Sequence, residues 1–167
     1  MNLRYLSILA AVALVAACES PTKNEGAKSS ESTTATTTAP PTTMMPGPEK
    51  GSQADFVANV GDRVFFDYDK SDLKGDARAE LAKWVAFLKA YPNDKLLIEG
   101  HCDERGTVEY NLALGDRRAT AVKNFLVAEG VDAGRLKTIS YGKSRPVVMG
   151  HTEDAWHQNR RGVGVVQ

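Results

Sequence analysis

The chain has 167 residues, enough for one modest domain with tails, and its 21 Lys and Arg balance its 21 Asp and Glu. No basic run or stripe occurs, so the electrostatic footprint that a polyanion requires is missing and nucleic acid is excluded as a partner. The two cysteines, Cys18 and Cys102, lie in very different surroundings.

Arg4 gives the N-terminus a positive start, and residues 6–17 form an apolar run that ends in small residues. The run is well short of the roughly 20 residues that span a bilayer, so residues 1–17 read as an export signal. Val15, Ala16 and Ala17 directly before Cys18 resemble a bacterial lipobox, in which the cysteine becomes the lipid-bearing N-terminus after cleavage. Each buried methylene of such a lipid contributes about 0.8 kcal/mol, and two or more acyl chains give a durable anchor. With Cys18 lipidated, Cys102 is left without a partner for an intramolecular disulfide. Residues 18–55 are rich in Ser, Thr, Pro and Ala and poor in apolar side chains, the composition of a disordered tether. Such a tether has a root-mean-square span of about 35 Å and reaches about 120 Å when fully stretched.

A folded head is expected over residues 56–167. Residues 63–66 alternate and are β-prone, predicting a strand that ends in the turn at residues 67–71. Asp72 is placed to cap a helix carrying Leu73, Ala77, Leu81, Trp84, Val85 and Leu88 at three- and four-residue spacing, ended by Pro92 and Asn93. Residues 95–100 give a second strand, apolar enough to be central. A second helix spans residues 109–129, turns Leu112, Ala119, Val122, Phe125 and Leu126 to the core, and stops at Gly130. A third strand follows at residues 136–141, then a short helical turn at residues 153–159 and a closing strand at residues 162–166. The order β-α-β-α-β-β implies an α+β sandwich, with helices packed on one side of a mixed four-stranded sheet.

The richest stretch is GHCDERGTVEYNLALGDRRATAVKNFL, residues 100–126, in which an acidic loop runs into the second helix. Asn111, Leu114 and Arg118 share one helical face. That places a guanidinium near Asp103, an arrangement suited to a ligand bearing both an ammonium and a carboxylate, as an amino-acid head group does. Together with VFFDYDKSDL, SYGKSRP and NRRGVGV, the stretch closely resembles the signature of OmpA-like peptidoglycan-binding domains, and the resemblance covers nearly the whole head. It implies the OmpA-like fold and a noncovalent grip on peptidoglycan. Asp103 would meet the free ammonium of diaminopimelate in a stem peptide, and Arg118 one of its carboxylates. Phe66 would be a packing wall, with Asp67 and Asp69 as further polar contacts. His101 would either orient the loop or touch the ligand. Backbone N–H groups at the start of the helix could add to anion binding. The resemblance further implies an outer-membrane lipoprotein with its head in the periplasm, outward sorting favoured by Glu19, and partnership with TolB and other Tol-system proteins in envelope integrity and cell division.

Competing readings exist. Asp103 and Arg118 at this separation also suit a plain salt bridge between loop and helix, and the head could serve as a periplasmic protein-interaction module. A Cys102-dependent hydrolase needs an imidazole within reach of the thiol, but adjacent residues of an extended segment, such as His101 and Cys102, point to opposite sides. No paired spacing of His and Cys suggests a zinc site, and no cofactor or enzymatic activity is expected.

Overall fold

The computed structural model describes residues 47–167. The expected signal segment, Cys18 and the tether up to residue 46 lie outside the described residues. The elements run α1 (Gln53–Asp55), a π-helical turn (Phe56–Val60), β1 (Arg63–Phe65), α2 (Gly75–Ala90), β2 (Leu96–His101), α3 (Val108–Ala128), a 3-10 turn (Ala133–Arg135), β3 (Leu136–Gly142), α4 (Glu153–Asn159) and β4 (Arg161–Val166). The strands form one sheet in the order β1-β4-β2-β3. β4 is antiparallel to both β1 and β2, whereas β2 and β3 are parallel across the α3 crossover. The expected α+β sandwich with a mixed four-stranded sheet is what forms.

The core lies between the sheet and the two long helices. Leu81, Trp84 and Leu88 of α2 and Val122 and Leu126 of α3 bury fully against Val64, Leu96 and Ile98 of the strands. Trp84 also meets the ring of Phe56 edge-on at 5.3 Å. Burying side chains of this size contributes about 1.5–3 kcal/mol each.

Three details depart from expectation. The ordered contacts begin ahead of Phe56, where composition alone placed the start of the head. Gly51 donates its N–H to the Asp55 carboxylate at 2.9 Å, and the Gln53 amide both donates to Gly164 O and accepts from Val166 N–H. Gln53 thus completes the edge of β4 where the three-residue β1 runs out. Asp72 does not cap α2. That helix begins at Gly75, and the residue at its cap position, Lys74, makes no side-chain cap bond. The preceding segment is held off the helix by Arg118, which takes up the carbonyls of Asp67 and Lys70. Leu112, expected in the core, is 41% exposed.

The position of Leu112 follows from how α3 seats on the sheet. A Cβ built on Gly100 of β2 would lie 1.8 Å from Gly115 O, and one built on Gly115 would lie 2.3 Å from Ser140 Oγ. Helix and strand backbones therefore touch at this pair of glycines. The contact sets the helix rotation, turning Asn111, Gly115, Ala119 and Val122 inward and Leu112 to the side. Gly100→Ala must push α3 away from β2. Its expected cost is about 3 kcal/mol, the upper end for overpacking, because the obstacle is backbone. Chemical denaturation of the variant measures it.

Candidate functional site

The loops after β1 and β2 and the first turns of α3 enclose a pocket of about 190 Å³. Tyr68 and Asp69 come from the first loop, Cys102, Asp103, Arg105 and Gly106 from the second, Tyr110, Asn111, Leu114 and Arg118 from the helix, and Arg160 from the end of α4. Two carboxylates and three guanidiniums therefore converge on a small volume.

Arg118 forms the floor. Its side chain is fully buried, and its guanidinium donates from Nε to Lys70 O at 2.8 Å, from one Nη to His101 O at 2.8 Å and from the other to Asp67 O at 2.9 Å. The ring of Phe66 packs beneath it, 5.1 Å from Cζ. Burial lowers the pKa of Arg118, opposed by the neighbouring Cys102 and Asp103. One cation thus ties together the β1 loop, the end of β2 and α3, the three walls of the pocket. This is more than the single ligand contact expected from sequence. Arg118 and Asp103 line the same pocket but are not partners among the described ion pairs.

Asp103 is 4% exposed and is held by two other arginines. Arg105 donates to it from an Nη at 2.6 Å, from Nε at 3.2 Å and from its backbone N–H at 3.1 Å. Arg160 approaches at 3.4 Å while also bonding Phe66 O and the Glu153 carboxylate. Burial pushes the Asp103 carboxyl up, but the hydrogen bonds from Arg105 and Arg160 outweigh it and hold the group below the usual carboxylate range. The Arg105 guanidinium lies 4.0 Å from the ring of Tyr68 and 4.0 Å from that of Trp156, a cation between two aromatic faces. Trp156 in turn donates to Glu104 at 2.9 Å, and His151 bonds the same carboxylate oxygen. The acidic loop is thereby fastened to α4.

The other predicted residues divide. Asp69 faces the pocket, has the left-handed backbone φ of 56°, and accepts a hydrogen bond from the Tyr110 hydroxyl. Leu114 lines the apolar side. Asn111 is buried and donates to Arg105 O at 2.8 Å and Thr107 O at 2.9 Å, so it shapes the acidic loop. Phe66 and Asp67 do not line the pocket. Phe66 is in the core, and the Asp67 carboxylate turns to Lys74 at 2.7 Å. The strand alternates faces, and the pocket-lining residues of the loop come two positions later, at Tyr68 and Asp69. The His101 side chain does not line the pocket either, which leaves the orienting one of its two expected roles. Its ring sits beside Tyr141, with Nε2 3.2 Å from Glu99, and only its carbonyl serves the site, through Arg118. Arg105, Arg160, Tyr68, Tyr110 and Trp156 were not assigned to the site from sequence.

The imidazole of His101 bonds a carboxylate rather than the Cys102 thiol. Cys102 is itself buried, its Sγ lies 3.4 Å from Asn111 O, and burial pushes its pKa up. A raised, buried thiol is the opposite of an activated nucleophile.

His101 carries a separate consequence. Burial, with Arg161 and Arg145 nearby, lowers its pKa to about 4 from an ordinary 6.5. The unfolded chain therefore takes up a proton before the folded one, so stability falls as pH drops from 6.5 toward 4. The expected loss is about 1–3 kcal/mol, and His101→Gln should flatten that part of the curve. Denaturation midpoints across that pH range test it.

The model of the OmpA family matches residues 65–160. The chain belongs to the OmpA family. Every residue lining the pocket lies inside the matched span. A peptidoglycan-associated lipoprotein of Agrobacterium fabrum is 53% identical over 116 residues, 70% of this chain and 66% of that protein. One of Pasteurella multocida is 40% identical over 96% of this chain and 95% of its own length. Among solved structures, the peptidoglycan-associated lipoprotein of Burkholderia pseudomallei is 43% identical with a TM-score of 0.62, covering 64% of this chain and 90% of that one. The C-terminal domain of Helicobacter pylori MotB shares the OmpA family fold at 18% identity and a TM-score of 0.60, over 64% of this chain and 84% of its own.

Proposed function

We propose that the head binds peptidoglycan noncovalently through this pocket, which receives the diaminopimelate of a stem peptide. The observation that carries the reading is the set of opposite charges on one small volume: Asp69 and Asp103 to meet an ammonium, and a guanidinium floor to meet a carboxylate. Relatives that are named peptidoglycan-associated lipoproteins support it. Lipid on Cys18 anchors the chain in the outer membrane, the tether carries the head into the periplasm, and the two grips together join membrane to wall. Each head is expected to bind modestly, because charged groups must lose water on binding. Many heads facing a polymeric wall gain by avidity. The same kinship extends the proposal to TolB and other Tol-system proteins as partners in envelope constriction at division, with competition between muropeptide and TolB as its check.

Titration of the isotopically labelled protein with a diaminopimelate-containing tripeptide, against its lysine analogue, tests the ligand. Lysine lacks the second carboxylate, and loss of a charge-assisted contact of about 1.5–3 kcal/mol corresponds to roughly 10–100-fold in affinity. Shifts are expected at Tyr68, Asp69, Gly106 and Tyr110. Equal affinity for the two peptides overturns the carboxylate assignment, and shifts elsewhere overturn the site.

A further inference from the structure

A second cleft, of about 390 Å³, lies between β1 and the first two turns of α2, and it shares no lining residue with the pocket described above. β1 is an edge strand, and its pairing fixes which of its backbone groups are free. Gly164 N–H donates to Asp62 O, and Phe66 N–H donates to Arg160 O. In the antiparallel register Arg63↔Val163, Val64↔Gly162, Phe65↔Arg161, hydrogen-bonded and non-bonded pairs alternate. Asp62, Val64 and Phe66 therefore direct their backbone groups at β4. Arg63 and Phe65 direct their N–H and C=O outward, into the cleft.

We propose that this cleft is a docking groove for an extended peptide segment of a partner protein, added as a fifth strand beside β1, with basic and apolar side chains in alternation. Four outward backbone groups are the template for such a strand. The pleat then assigns the side chains. Alternate residues of an added strand face the helix layer, where Asp76 and Glu80 of α2 line the cleft. The residues between them face the open side of the sheet, beside Phe65, whose ring stacks on His157 at 5.1 Å. Apart from its shortness, β1 lacks the devices that usually guard an edge: no proline or bulge interrupts it, and the Arg63 guanidinium is turned aside onto Asp62 at 2.8 and 3.0 Å. That internal pair neutralises Asp62 and leaves Asp76, which has no ion pair among the described residues, and Glu80, which is shared with exposed Lys83. The residual charge of the groove is negative, so it favours lysine or arginine toward α2. It also disfavours a second copy of the same chain, which would bring a second acidic cleft to the same place.

The test uses the full-length protein in detergent and an acetylated five-residue peptide alternating lysine and valine. Hydrogen exchange at the Arg63 and Phe65 amides should slow by about tenfold or more on saturation, with chemical shifts confined to residues 61–65 and 76–80. A peptide of the same charge, N-methylated at alternate residues so that it cannot pair, should give no protection. A glutamate and valine peptide should bind at least about tenfold more weakly, and Asp76→Lys should weaken the lysine peptide comparably while leaving the sacculus affinity unchanged. Protection that survives N-methylation, shifts that fall elsewhere, or no response at all overturns the proposal. Protection that rises with protein concentration alone overturns it in favour of a second copy.

Discussion

Arg118→Ala is expected to remove about 3–5 kcal/mol of folding stability, the range for breaking a buried charged network. That is a large share of the roughly 5–15 kcal/mol that holds a native domain together. Three carbonyls, that of buried His101 and those of Asp67 and Lys70, lose their donor at once. A cavity opens above Phe66, and Cys102 and Asp103 lose a neighbouring positive charge. Arg118→Lys is expected to recover only part of the loss, because an ammonium cannot present the planar fork that reaches three carbonyls in different directions. Denaturant midpoints for the two variants, at equal slope, give the comparison. A loss below about 1 kcal/mol for the alanine variant would mean that the three segments hold together without the guanidinium. The same network explains why Arg118→Ala is a poor probe of ligand binding: walls and floor go together.

Much of this architecture is legible in the chain, for reasons that individual residues make plain. Leu81, Trp84 and Leu88 repeat at helical spacing and do bury together, and Leu96 and Ile98 alternate into the core as a central strand should. Local periodicity reports these because a single burying face dictates it. Leu112 misled for the opposite reason: the rotation of α3 is set by a backbone contact between Gly100 and Gly115, which no hydrophobic pattern encodes. The start of the head was misplaced because Gln53 and Asp55 act by polar bonds to distant backbone, with no apolar signature. In the candidate site, the motif marks the loop and the helix that line the pocket, but not the partners within it. Asp103 and Arg118 are close in the motif, yet they do not pair with each other: Asp103 is held by Arg105 and Arg160, and Arg118 by the carbonyls of Asp67, Lys70 and His101. Arg160 comes from beyond α4, 57 positions away from Asp103, and Trp156 reaches Glu104 of the loop across 52 positions. Of the residues named along this turn, Asp69 lines the pocket and Phe66 and Asp67 do not, while Tyr68 went unnamed, because strand alternation no longer predicts direction in a turn.

Asp103→Asn should lower retention of the protein on purified sacculi by at least about tenfold, the loss expected when a charge-assisted contact becomes a neutral one. Its carboxyl is ionised at neutral pH, and the stability it adds through Arg105 and Arg160 is present there and is lost only as pH falls through its depressed range. Asparagine preserves the shape, so the comparison isolates charge, and denaturation of the variant separates binding from folding. Glu129→Gln, on the exposed end of α3, is the control and should bind as the native protein does. Arg105→Ala sharpens the interpretation. The Arg105 guanidinium neutralises Asp103 and is clasped by Tyr68 and Trp156, so it holds the acidic loop in place over the pocket. Its removal is expected to weaken retention by about tenfold as well, and Arg105→Lys should fail to restore it, since an ammonium cannot stack between two rings as a flat guanidinium does. Tighter binding in Arg105→Ala would instead show that the guanidinium competes with the ligand's ammonium for Asp103, and the roles of the two groups would have to be exchanged.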